Sequence, residues 1–197
     1  MDREPSTSCF PMALPVGVEA RLVDPEIGRR VQQAIGPLIF ASREALGQFV
    51  TPESRREQLA RLEAIHKRSD PRWIAFYAAG DEPVGWCYGY MEDAETFFFD
   101  TVGLVPAFRN RGIYTAFLKQ LIPYLETEGY ERLTTSHHPD NRAVMIPELK
   151  TGFNIAGLEL HEGCGPLIKM VYLFHEDRRA AFRDVFSIAW DPPASPE

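Results

Sequence analysis

Val102-Gly-Leu-Val-Pro-Ala-Phe-Arg-Asn-Arg-Gly-Ile-Tyr-Thr-Ala-Phe-Leu-Lys-Gln-Leu121 holds a strand end, a polar turn and a helix start in one run. Upstream, Phe97 to Leu104 is aromatic and β-branched with few breakers, as a strand requires. Downstream, Ile113, Phe117, Leu121 and Leu125 recur at intervals of four and define one buried helix face. Between the two lies Arg109-Asn110-Arg111-Gly112. A strand that reaches a helix N-terminus through a basic, glycine-containing turn suits a phosphate group. Backbone N–H groups without helical partners and the positive end of the helix dipole point at one spot there, and two arginines add charge.

The turn has no Gly-Lys-Ser/Thr, so it is not a P-loop, and it has one glycine where the dinucleotide fingerprint needs three. Its spacing resembles motif A of the GNAT superfamily of N-acetyltransferases, Gln/Arg-x-x-Gly-x-Gly/Ala, with Arg109 in the first place and Gly112 in the second. Val105-Pro106 upstream also fits that family, whereas its last small position holds Tyr114 here. Asn141-Arg-Ala-Val-Met-Ile-Pro-Glu-Leu-Lys-Thr-Gly-Phe153 resembles the family's second signature, an asparagine that opens a helix closing eleven residues later on Gly-Phe. Asp140 or Asn141 can cap the start of that helix, and Gly152, just after Lys150, can end it. The resemblance covers the chain from about Glu19 to about Phe174.

A chain of 197 residues, 45% hydrophobic and 12% aromatic, suffices for one well-buried domain. A formal net charge of -7 argues against bulk nucleic-acid binding, which shows as a basic face, and favours a cationic acceptor. Cys9, Cys87 and Cys164 have no Cys-x-x-Cys spacing, so neither a zinc site nor a disulfide framework is indicated. No metal site is expected, because His137 and His138 are adjacent and point apart on a strand. The N-terminal Asp2-Arg3-Glu4-Pro5 is not an apolar signal run, and no later segment is long and apolar enough to span a bilayer. The expectation is a cytoplasmic protein with no membrane partner.

Residues 1–18, with Pro5, Pro11 and Pro15 among serines, read as a flexible N-terminal arm, 19–186 as a single acetyltransferase-like domain, and 187–197 as a C-terminal tail. The domain opens with a strand at Glu19 to Val23 and a helix from Asp24-Pro25-Glu26 that Gly36-Pro37 interrupts. A second helix starts at Thr51-Pro52-Glu53. Trp73 to Ala78 and Pro83 to Tyr90 are strands around the turn Gly80-Asp81-Glu82, and a further strand starts at Thr96. After a helix kinked at Pro123 come strands at Arg132 to His137, Asn154 to Leu160 and Leu167 to Phe174, then a helix from Glu176 to Phe186. Periodicity alone gives α+β or α/β. With the resemblance, the expected fold is an α/β (α+β), GNAT-like mixed and mostly antiparallel central sheet of about seven strands flanked by about four helices.

The resemblance implies transfer of an acetyl group from acetyl-CoA, as acyl-donor cosubstrate, to a primary amine of a small molecule or peptide. Backbone N–H groups of Asn110, Arg111, Gly112, Ile113, Tyr114 and Thr115 would clamp the pyrophosphate. Val102, Gly103 and Leu104 would bond the pantetheine arm and the acetyl carbonyl through the main chain, Gly103 permitting close approach of a backbone, and Asn141 would hold the arm from the other side. Seven residues past Asn141 stands Glu148, in the place where many members carry a tyrosine that protonates the leaving thiolate. A carboxylic acid can serve there only if burial keeps it protonated.

For the base, Asp100 shares a strand face with Val102 and Leu104 if no bulge intervenes, and it ranks ahead of His138 and then His137. Ser136 stands where the ribosomal-protein N-terminal acetyltransferase branch carries a glutamate, which counts against that branch. Glu92 and Glu95 are further attractors for an amine. The acceptor would be shaped by Leu38 to Thr51 and His161 to Pro166, with Phe40, Phe49, Trp86 and Tyr88 as pocket lining or as core. A non-catalytic acyl-CoA-binding or sensing module of the same fold is the alternative, and association into a homodimer stays open.

Overall fold

The structure is a computed structural model that describes residues 9–40, 53–66 and 70–186. Its elements in chain order are β1 (Met12–Leu14), β2 (Val18–Val23), α1 (Pro25–Ile39), α2 (Arg56–His66), β3 (Arg72–Ala78), β4 (Glu82–Met91) and β5 (Thr96–Leu104), followed by α3 (Ile113–Thr127), β6 (Arg132–His137), α4 (Arg142–Thr151), β7 (Asn154–His161), β8 (Gly165–Leu173) and α5 (Glu176–Phe186). The strands form one sheet of eight in the order β1-β2-β3-β4-β5-β6-β8-β7, antiparallel throughout except for the β5–β6 pair. This is the expected mixed α/β fold with one more strand and one more helix.

The additional strand is β1, which falls inside the stretch read as a flexible arm. Met12 and Leu14 are buried and pair with Ala20 and Val18, so two apolar side chains at alternate positions anchor the chain there between prolines. Helix α1 runs through Gly36-Pro37 to Ile39, where an interruption was expected, and Pro123 and Pro147 likewise lie inside α3 and α4. A proline removes one backbone donor from a helix, and burial of the apolar face offsets that loss.

Both faces of the sheet are covered at its centre, whereas the edge strand β7 is exposed. On β3, Ile74 and Phe76 face the α3 side together with Phe97, Phe99 and Phe117, while Trp73 and Ala75 face Val31 and Ile35 of α1 together with Trp86. The predicted α3 stripe is the buried one: Ile113, Phe117, Leu121 and Leu125 are each at most 1% exposed.

Two features of the sheet make room for a ligand. The β5–β6 ladder pairs Thr96 with Arg132 through Phe99 with Thr135 and then stops, although both strands continue, to Leu104 and His137. At the same level the β4–β5 register shifts, with Tyr88 opposite Thr101 and Gly89 opposite Phe99, which leaves Asp100 as the extra residue of a bulge. The bulge thus falls where the β5–β6 pairing ends. Because α3 is the crossover joining these parallel strands, its N-terminus lies at the C-terminal end of β5, beside the split.

Phe117 is fully buried and meets Phe76 edge-on with ring centroids 4.9 Å apart. Phe117→Ala should lower the unfolding free energy by about 3–5 kcal/mol in urea denaturation; a loss below about 1 kcal/mol would mean that α3 is not seated on the sheet in this way.

Candidate functional site

A cavity of about 420 Å³ occupies the split. Its walls include Asp100 and Val102 of β5, His137 at the end of β6, Asn141, and Glu159 and Lys169 from the β7–β8 pair.

The turn before α3 is shaped by two left-handed residues, Asn110 at φ 58° and Gly112 at φ 76°. Gly112 is the N-cap and no side chain caps the helix. The helical ladder starts with Ala116 N–H donating to the Gly112 carbonyl at 3.0 Å, so the N–H groups of Ile113, Tyr114 and Thr115 precede it. The two arginines behave differently from expectation. Arg109 turns back into the fold, its Nε donating to the Leu104 carbonyl at 2.9 Å and its Nη2 to the Ile39 carbonyl at 3.0 Å. It ties the end of β5 to the end of α1. Arg111 lies over the Phe108 ring at 5.5 Å.

Gly103 is also explained by the end of α1: a Cβ there would stand 2.6 Å from Cγ2 of Ile39. The close approach that requires glycine is made by this side chain. Asn141 lines the cavity and is the N-cap of α4, but its side chain makes no capping bond, and its carbonyl accepts from Val144 and Met145 at 3.2 and 3.1 Å. The side-chain cap expected from Asp140 or Asn141 is therefore absent, and the Asn141 amide is left for the cavity.

Glu148 does not stand where direct proton donation would need it. It is 0% exposed, is not part of the cavity wall, and is the single buried residue of α4. Three side chains converge on its carboxylate: Tyr114 Oη donates to Oε1 at 2.6 Å, Thr135 Oγ1 donates to Oε2 at 3.0 Å, and His137 Nε2 lies 3.0 and 2.9 Å from the two oxygens. An ionised carboxylate is an acceptor only, and this is a set of donors. Burial first and the Glu148 charge second push the Tyr114 phenol well above its ordinary value, so it stays a neutral donor. Tyr114, which breaks the small-residue pattern of the motif, turns its hydroxyl inward and away from the phosphate turn.

Asp100 lines the cavity despite the bulge and accepts from Thr101 Oγ1 at 2.8 Å. His138 also lines it, but its Nε2 lies 2.7 Å from the Cys164 carbonyl, which fixes that nitrogen as the donor and ties β6 to the β7–β8 turn. Glu92, expected as an attractor, is paired with Lys169 at 3.0 Å, and Glu95 with Arg132 at 2.7 Å. Phe40 lines the cavity, Trp86 is core at 1% exposure, and Tyr88 packs at a tilt of 38° against Trp73 with ring centroids 4.5 Å apart. Phe49 and most of the Leu38 to Thr51 segment lie outside the described residues. Sequence reasoning ranked His137 last and missed its partner. The alternation of Thr135 and His137 on β6, which puts both on one face, was the available signal. Among the described residues no group of three or more His, Cys, Asp or Glu could hold a metal ion, and no helix is long and apolar enough to cross a membrane.

The Tyr114 titration predicts alkaline behaviour. A phenol whose folded value is raised contributes stability in full below the unfolded value of about 10, and that contribution is lost as pH rises towards the folded one. Burial also pushes Tyr124 up to about 12, with the same sign. Tyr114→Phe should cost about 1–3 kcal/mol at neutral pH, because one donor to a buried carboxylate is gone. It should also make the fall in stability above about pH 10 shallower than in the wild type. Urea unfolding across that range checks both, and an unchanged alkaline slope would deny the contact.

The fold has known counterparts. One is the ribosomal-protein-S18-alanine N-acetyltransferase from Escherichia coli, at a TM-score of 0.59 and 15% identity over 80% of this chain and 94% of that one. Another is an acetyl transferase from Salmonella typhimurium that modifies the N-terminal serine of a 50S ribosomal subunit protein, at 0.56 and 16% over 81% and 96%. A third is spermidine N-acetyltransferase from Vibrio cholerae in complex with CoA and spermine, at 0.56 and 12% over 80% and 95%. At such identities the likeness shows a shared fold. No curated protein matches the chain in sequence. The model of the acetyltransferase (GNAT) family matches residues 40–153, more than half of the chain, and the protein belongs to that family.

Proposed function

We propose that the protein transfers an acetyl group from acetyl-CoA to the primary amine of a small molecule or peptide. The observation that carries this reading is the split between β5 and β6, open beside an uncapped helix N-terminus. Ile113, Tyr114 and Thr115 offer backbone donors for a pyrophosphate, and the edge of β5 that loses β6 offers main-chain groups at Val102 to Leu104, apart from the Leu104 carbonyl that Arg109 holds, for an amide-bearing arm. Asn141 reaches the same cavity from the opposite wall. These residues fit a long, phosphate-headed acyl donor.

The acceptor end is acidic. Lys169 offsets Glu92, which leaves Asp100 and Glu159 on the walls as carboxylates suited to a protonated amine or a second positive charge on the acceptor. The counterparts act on amines as well, one named for an alanine of a ribosomal protein and another for spermidine. The amine must lose its charge before attack. Its lone pair then closes on the thioester carbon, the carbon–sulfur bond breaks, and one proton passes from nitrogen to the departing sulfur.

One observation favours the non-catalytic alternative: α4 brings no tyrosine to the cavity, since Glu148 holds that place and is buried. Turnover decides between the two. Incubation with acetyl-CoA and a panel of amines should release free thiol and give acetylated product, with cationic amines preferred; tight CoA binding without product on any amine would support the module. Gly112→Val, which forces a branched residue into a left-handed turn, should weaken CoA binding by calorimetry about tenfold or more, and unchanged affinity would place the phosphates elsewhere.

A further inference from the structure

The two places where this chain departs from its family's motifs, Tyr114 and Glu148, touch each other at 2.6 Å, and a third residue, His137, joins them to the cavity. We propose that His137 carries the proton during acyl transfer and that Glu148 and Tyr114 are the residues that position it. This assignment rests on the acetyltransferase reading.

A carboxylate at 0% exposure is costly unless its hydrogen bonds are all made, and an apolar side chain would serve the core between α3, α4 and β6 better. Glu148 has its bonds made, by Tyr114 from α3, Thr135 from β6 and the His137 ring. With Tyr114 and Thr135 already donating to the two oxygens, His137 Nε2 is the third donor and keeps its hydrogen. The ring's proton-accepting atom is then Nδ1. No described atom hydrogen-bonds Nδ1, and the residue, 9% exposed, is part of the cavity wall that also holds Val102 and Asn141. A carboxylate on one imidazole nitrogen fixes the tautomer and stabilises the imidazolium that forms when the other takes a proton. Tyr114 and Thr135 hold the carboxylate in turn.

The step balances on one proton. As the amine nitrogen bonds to the carbonyl carbon, its proton moves to Nδ1; as the carbon–sulfur bond breaks, the imidazolium returns that proton to the sulfur. His137 so acts as base and then as acid, and no tyrosine is required on α4. The alternative proton carriers are less well placed: His138 has both ring nitrogens engaged, Nε2–H donating to the Cys164 carbonyl and Nδ1 standing 3.5 Å from Asp140 Oδ1, and Asp100 sits at the bulge with Thr101 as its hydrogen-bond partner. The other titratable groups on the cavity side are Tyr90 of β4 and Glu92 just after it, Glu159 and His161 of β7, Lys169 of β8, and Cys164 between the last two strands.

The test combines spectroscopy on the wild type with kinetics on variants. In histidine-labelled wild-type protein, nitrogen NMR at neutral pH should show His137 protonated at Nε2 and bare at Nδ1; the opposite tautomer overturns the assignment without any variant having to fold. In acetylation assays, His137→Gln should lower kcat about a hundredfold or more, with CoA affinity by calorimetry unchanged. Glu148→Gln and Tyr114→Phe should lower kcat less. Glu148→Gln should also move the acidic limb of the kcat profile to lower pH, because a neutral amide no longer favours the imidazolium, a displacement that mere loosening of the fold does not produce. A His137→Gln variant with the wild-type rate and pH profile refutes the proposal and leaves the acetyltransferase reading standing. A wild type that binds CoA and acetylates no amine refutes that reading and this assignment with it.

Discussion

An interior strand of this sheet has one edge without a partner, and most of the molecule is arranged around that fact. β5 stays paired to β4 as far as Leu104, opposite Gly85, but its pairing with β6 ends at Phe99 and Thr135. Backbone donors and acceptors facing the gap must find water or a ligand, because leaving them buried and unmatched would cost about as much as lost hydrogen bonds. A ligand with amides along its length can complete that edge as an added strand would. The bulge at Asp100 and the two bonds from Arg109 to the ends of β5 and α1 flank the gap on one side. On the other side β6 is kept in place by β8, with His137 opposite Ile168.

The helices follow from the same geometry. The parallel relation of β5 and β6 requires a crossover, and that crossover is α3. Its start therefore lies at the open end of the strands, where a left-handed Gly112 leaves the first N–H groups free of side-chain caps. Helix α4 follows β6 at the same end, placing Asn141 on the cavity and Glu148 beneath it. The first N–H groups of α3, the unpaired end of β5, Asn141 and the buried carboxylate network thus lie around one opening although they come from distant parts of the chain.

The local signals for this arrangement were legible in the sequence, and the non-local ones were not. Ile113, Phe117, Leu121 and Leu125 gave α3 its face, and Arg109 to Gly112 gave the turn, because periodicity and turn chemistry are properties of a few neighbouring residues. The bulge at Asp100 depends on the register between β4 and β5, which no single strand encodes. Helix α4 buries one residue, and that residue is a glutamate, so a search for apolar periodicity had nothing to find. Arg109 fills the first place of the motif and Gly103 lies in the strand segment read as facing the arm, yet both contact the end of α1, some seventy residues away in the case of Arg109 and Ile39. The inward turn of Tyr114 follows from the carboxylate waiting for it, itself known only once α3 and α4 are packed together.

The proposed acyl donor needs the open edge of β5 and the start of α3 to form a single cofactor site. Backbone amide shifts recorded while CoA is titrated into labelled protein test it most directly. Large shifts are expected at Gly112, Ile113, Tyr114 and Thr115 and at Val102 to Leu104, with β1 and the outer strand β7 little changed at residues away from the cavity. Shifts confined to β1, β2 and β3, with the α3 turn and the end of β5 silent, would contradict it.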